Sequence, residues 1–188
     1  FAEKKEDTVI LSDKDFAAAV KEVEVKSIYE LIATGSNITH ASIDVIKDQK
    51  ELRYLNLSKN KNIGDETCRK IGEYLPKLER LNLYQTAVTD KGLEYLSNLK
   101  NLRALHLFGS KVTFKAASDF RNLMAQNGND DLEITIGGKH PALGSIKYNA
   151  FLKATYQKNA DSGKLNPDFK VGVAGETKPN KKYEDSEK

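Results

Sequence analysis

The sequence predicts an α/β leucine-spaced solenoid: a parallel concave sheet, helices on the convex side, about five repeats, and a cap at each end. Three observations predict it. Apolar residues fall on one short grid five times between residues 28 and 134. A small polar column and a second apolar column then follow each of the first four copies. After these a helical period takes over. Such self-similarity marks stacked supersecondary units, each too small to bury its own apolar face.

The first element is a half-unit over residues 1–27, an N-terminal arm and capping half-repeat. Leu11-Ser12-Asp13-Lys14-Asp15-Phe16 matches Val88-Thr89-Asp90-Lys91-Gly92-Leu93 in register, whereas Lys4 to Thr8 carries no apolar grid. A first unit has no neighbour to cover it, so a polar outer half is expected there.

The repeats proper cover residues 28–138. Their strands read Ile28-x-x-Leu31-x-Ala33, Leu52-x-x-Leu55-x-Leu57, Leu78-x-x-Leu81-x-Leu83, Leu102-x-x-Leu105-x-Leu107 and Asn129-x-x-Leu132-x-Ile134. Next comes a turn whose backbone amides have no sheet partner. Ser36, Asn60, Thr86 and Ser110 stand where a buried short polar side chain can satisfy them. Ile38, Ile63, Val88 and Val112 follow as the second apolar column. Ser12, Thr39, Gly64, Thr89 and Thr113 then form one column of N-cap residues. Asp13, Asp65 and Asp90 come directly after, where negative charge favours a helix N-terminus. The helices bury Phe16, Ile43, Cys68, Leu93 and Ala117, with Ala19, Ile46, Ile71, Leu96 and Phe120 three residues on.

Residues 139–160 are expected to form a C-terminal capping helix. Leu143, Ile146, Ala150, Phe151 and Ala154 lie at helical spacing after His140-Pro141, and a helix there would cover the edge of the last strand. Residues 161–188 are read as an extended or disordered tail, too polar to build a core. Leu165, Phe169, Val171 and Val173 are its apolar anchors, spaced to add to a sheet edge or lie in a partner's groove.

These motifs resemble leucine-rich repeats of the ribonuclease-inhibitor type, over about residues 9 to 138. The stretch from Val88 to Arg103 is also similar to the short Thr-Asp-x-Gly-Leu repeats of many bacterial proteins and of eukaryotic substrate-recognition subunits. Where that family commonly places asparagine in the turn, this chain mostly has Ser or Thr. The resemblance implies a strand–helix unit and is nearly silent on function, because the motif residues are the buried ones.

Chemistry finds little support in the residues. His40, His106 and His140 fall in no metal-binding or triad motif, and Cys68 sits in the buried helix column. Gly137-Gly138 lacks the helix start of a phosphate loop. No enzyme, metal or cofactor is expected. The 188 residues carry a net charge of +3, which is too small to imply nucleic acid, and no stretch is apolar enough to span a membrane. The single cysteine precludes an internal disulfide. A start at Phe1 followed by Ala-Glu-Lys-Lys-Glu-Asp reads as a processed terminus, so an exported, periplasmic or extracellular protein is expected, with the cytoplasm as the alternative.

Binding is better supported. Residues alternating with the grid point to the concave face. Tyr54, Arg80, Asn82, Tyr84, His106 and Phe108 should gather there, and aromatics with Arg are the types enriched in interface hot spots. The expected function is a non-catalytic protein-interaction module or accessory subunit of a larger complex. One alternative is a substrate-recognition subunit of an enzyme assembly. Another is association with an anionic surface or nucleic acid through Lys139, Lys147, Lys153 and Lys158, interleaved with Tyr148, Phe151 and Tyr156.

Overall fold

A computed structural model describes residues 12–22, 28–136 and 169–173. The element order is α1 (Asp13–Glu22), β1 (Ile28–Ala33), α2 (Ala41–Val45), β2 (Tyr54–Asn56), α3 (Asp65–Tyr74), β3 (Arg80–Asn82), α4 (Asp90–Tyr95), β4 (Ala104–His106), α5 (Phe114–Gln126), β5 (Glu133–Thr135) and β6 (Phe169–Val173). The sheet runs β5-β4-β3-β2-β1-β6. Its first five strands are parallel, and β6 joins antiparallel at the β1 edge.

Between sheet and helices lies one core. The grid residues of the first four copies are all buried, from Ile28 to Leu107, and so are both helix columns. The turn column serves carbonyls at Asn60 and Thr86 instead of the expected amides, whereas Ser110 accepts an amide, from Val112 at 3.3 Å. Asn60 donates from Nδ2 to the carbonyl of Ala33 in the preceding repeat (2.7 Å) and to Leu57 in its own (2.9 Å). Thr86, with a shorter reach, donates to its own Leu83 carbonyl.

Three corrections to the sequence reading follow. The first concerns the last strand. Leu105 pairs with Ile134 and His106 with Thr135, so the fifth copy is set two residues later than the Asn129-x-x-Leu132-x-Ile134 reading. The second concerns the helix starts. Thr113 caps its helix by accepting from the Ala116 amide, but the hydroxyls of Thr39, Thr89 and Thr113 also donate backwards, to the aspartate of the preceding repeat. Each carboxylate takes an amide on one oxygen and a hydroxyl on the other: Asp13 from Thr39 (2.8 and 2.8 Å), Asp65 from Thr89 (2.8 and 2.6 Å), Asp90 from Thr113 (2.6 and 2.9 Å). The aspartates are thus clasps between repeats, beyond any service to a helix dipole.

The third concerns the tail. Phe169, Val171 and Val173 lie in β6, with Ala33 facing Phe169 and Ile28 facing Val173. Of the two expected destinations, a sheet edge or a partner's groove, these residues take a sheet edge, and it belongs to the same chain. An uncovered β1 would present a row of unpaired amides and carbonyls, which gives β6 its role. Leu165 and the expected capping helix lie outside the described residues.

Glycine in the Thr-Asp-x-Gly-Leu stretch has a steric cause. A Cβ on Gly92 would stand 2.7 Å from Asp65 Oδ1 and 2.7 Å from Val88 Cγ1, so the clasp leaves no room for one. Gly72 lets α3 lie against α4 for the same reason: its Cβ would stand 2.0 Å from the Tyr95 carbonyl oxygen.

Candidate binding face

The sheet register brings the expected inner-face residues together. Tyr54 is paired with Arg80, and Asn82 with His106. Just beyond the strands, the rings of Tyr84 and Phe108 stack with centroids 5.7 Å apart and planes 10° from parallel. One strand spacing separates them, so the stack follows from the sheet itself.

Exposure divides the six. Tyr54, Asn82 and His106 are buried (2%, 0% and 3% exposed), whereas Arg80, Tyr84 and Phe108 are half-buried. The open inner sheet expected from alternation is therefore partly closed. Asn82 shows how a short polar side chain comes to be hidden there. Its carbonyl oxygen accepts from the Tyr84 amide at 2.9 Å, as Asn56 accepts from Ser58 at 3.0 Å. Both asparagines bend the chain as it leaves the strand. Asn82 thus positions Tyr84.

A second set of side chains runs along the edge where the strands begin. Arg53 lies over the Tyr29 ring, 5.2 Å from its centre, and pairs with Glu79 of the next repeat. The Glu79 hydrogen bond holds the Arg53 guanidinium above its ordinary pKa, against partial burial. On the outer side Lys70 pairs with Asp44 (2.5 Å) and Lys77 with Glu51 (2.5 Å), again between neighbouring repeats. Charge on these faces is mostly spent on stacking units together.

The Cys68 thiol is buried, and burial, helped by the Asp65 charge, pushes its pKa well up. A thiol held protonated in this way is a core group. Among the described residues no cluster of three or more His, Cys, Asp or Glu side chains is placed to hold a metal, and no helix is long and apolar enough to cross a membrane.

What the sequence reading missed lies at the turns. Gly35, Lys59, Gln85 and Gly109 occupy one column, and all four have left-handed backbones (φ 63°, 60°, 53° and 76°). In sequence that column reads Gly, Lys, Gln, Gly, two long polar side chains flanked by glycines.

Residues 51–72 and 74–97 match the family described as Leucine Rich repeat. No curated protein matches the chain. Among solved structures, the actin-binding site 2 of Leiomodin-1 is similar at TM-score 0.50 and 14% identity, over 68% of this chain and 79% of that one. The tropomodulin C-terminal domain of Caenorhabditis elegans is similar at TM-score 0.50 and 14% identity, over 73% and 86%. A leucine-rich-repeat protein of Leptospira interrogans shares 29% identity over 56% of this chain and 24% of its own, at TM-score 0.40. The first two likenesses are of fold alone. With two stretches matched by sequence and five strands stacked in parallel with helices between them, the chain carries leucine-rich repeats in an α/β solenoid fold.

Proposed function

We propose that the chain is a non-catalytic interaction module that holds a protein partner against the inner face of its sheet. Leucine-rich-repeat domains generally serve protein–protein binding, and the finer assignment rests on one observation: the half-buried Tyr84–Phe108 stack. Two rings fixed in a stack give up little conformational freedom on binding, and Arg80 lies about 13 Å away on the same face, at the start of the strand that leads to Tyr84. Tyr54, Asn82 and His106, being buried, serve as the bed on which that patch sits. The patch suits a partner offering an apolar or aromatic projection with a carboxylate at its flank.

The test is a double substitution, Tyr84→Ala with Phe108→Ala, assayed by calorimetry against a partner first isolated by cross-linking in the native source. Binding should weaken by more than about 2 kcal/mol, the size expected of hot-spot residues. The thermal midpoint should move only modestly. Unchanged affinity in a folded double variant would place the partner elsewhere.

A further inference from the structure

We propose that the turn edge of the solenoid carries a second, separate binding site, a lysine-lined groove for an acidic extended segment of a partner protein. The groove encloses about 530 Å³ and is lined by Lys59, Lys61, Gln85, Thr86, Gly109 and Lys111, with Ala87 adding an apolar patch. It spans the turns after β2, β3 and β4, so its length lies across the repeats. No acidic residue lines it.

The three lysines, like Lys91 and Lys100, differ from the bases that stack the repeats in having no carboxylate partner among the described residues. Arg53, Lys70 and Lys77 are each matched by a carboxylate of a neighbouring repeat, and Arg69 and Lys115 by carboxylates on their own helices. No carboxylate stands within ion-pair distance of Lys59, Lys61 or Lys111 among the described residues, and all three are exposed. A groove whose charge is all of one sign raises the local concentration of the opposite charge and speeds its capture.

The backbone adds an independent argument. Gly35 and Gly109 show which residue suits the left-handed column, yet Lys59 and Gln85 adopt that conformation with side chains attached (φ 60° and 53°). Both line the groove. Side chains held in this strained backbone region cluster at functional sites.

Chemistry narrows the occupant. Lys59 and Lys111 lie two repeats apart, roughly 10 Å at ordinary strand spacing. An extended polyproline-type segment rises about 3.1 Å per residue, so carboxylates three residues apart would meet both. The chain's own stretch 137–168 is a poor match, with Lys139, Lys147, Lys153, Lys158 and Lys164 against Asp161 and Asp168. This site shares no residue with the inner-face patch, so either reading can fail without the other.

The experiment uses the full chain and a fluorescein-labelled (Glu-Ala-Pro)4 peptide, with (Lys-Ala-Pro)4 and a single-stranded oligouridylate of the same length as comparisons. Anisotropy should show saturable binding of the acidic peptide that weakens with salt, and none of the basic one. Lys59→Glu with Lys111→Glu should weaken it about tenfold or more, whereas Lys91→Glu with Lys100→Glu, the same charge change elsewhere on the surface, should alter it less than about twofold. Lys59→Gly should raise the thermal midpoint and still weaken the peptide, a combination that a merely structural lysine would not give. Absence of binding, equal loss in both charge-reversal pairs, or tighter binding of the oligouridylate than of the acidic peptide would each overturn the proposal.

Discussion

Asp13 joins the capping half-repeat to the first full repeat, and one carboxylate does it. It accepts from the Thr39 amide, the Thr39 hydroxyl and the Ser42 hydroxyl. Partial burial works against the charge, but the bonds from Ser42 and Thr39 outweigh it and hold the Asp13 pKa below its ordinary 3.8. A carboxyl whose folded pKa is depressed stabilises the protein above its unfolded pKa and loses that contribution as pH falls through the folded value. Asp13→Asn should therefore lower stability at pH 7 by about 1–2 kcal/mol, the scale of charge-assisted hydrogen bonds. It should also flatten the acid limb of unfolding at and below about pH 4. Denaturant titrations at pH 7 and pH 3 check this; an equal loss at both would show that the charge is irrelevant. The Thr and Asp columns were legible in the sequence as residue types. Their pairing was not, because each partner lies a whole repeat away and a helix start explains the same residues locally.

One seam between elements departs from the rest. His40 stands in the aspartate column and Gly64 in the threonine column, so both halves of one clasp are missing at the same step. The helix there, α2, is five residues long. Its neighbour records the loss: the Thr67 hydroxyl is buried without a partner, at the position where Ser42 one repeat earlier donates to Asp13. Lys70 and Asp44 bridge α2 and α3 instead. His40→Asp should supply acceptors for Thr67 Oγ1 and the Gly64 amide and stabilise the chain by about 1 kcal/mol, as one satisfied buried hydrogen bond does. A lower thermal midpoint in that variant would show that the seam is shaped for histidine. The fifth strand makes a different point about legibility. Leu132, Ile134 and Ile136 alternate, and a slip of two residues keeps every side chain on its own face, so the pattern fits either register. Pairing with β4 selects the later one.

At the scale of the molecule, β6 decides how the sheet ends. The apolar alternation of Phe169, Val171 and Val173 made an edge-seeking strand legible, but no local pattern could say whose edge it sought. Removing residues 169–188 should leave the parallel repeats folded and uncover β1. Amide exchange should then rise in β1 and stay unchanged in β3, and light scattering should show self-association through the bared edge. Unaltered β1 protection would mean that β6 contributes nothing to the edge. The antiparallel sense of this pair also determines how the protein bears load. Ile28 and Val173 face each other at one end of the ladder, so a force applied through the chain on either side would peel the two strands open from that end. Their hydrogen bonds would break in succession, at low force, while the parallel repeats kept their shape. Tension would thus release the C-terminal segment first, as a soft extension that leaves the parallel repeats intact.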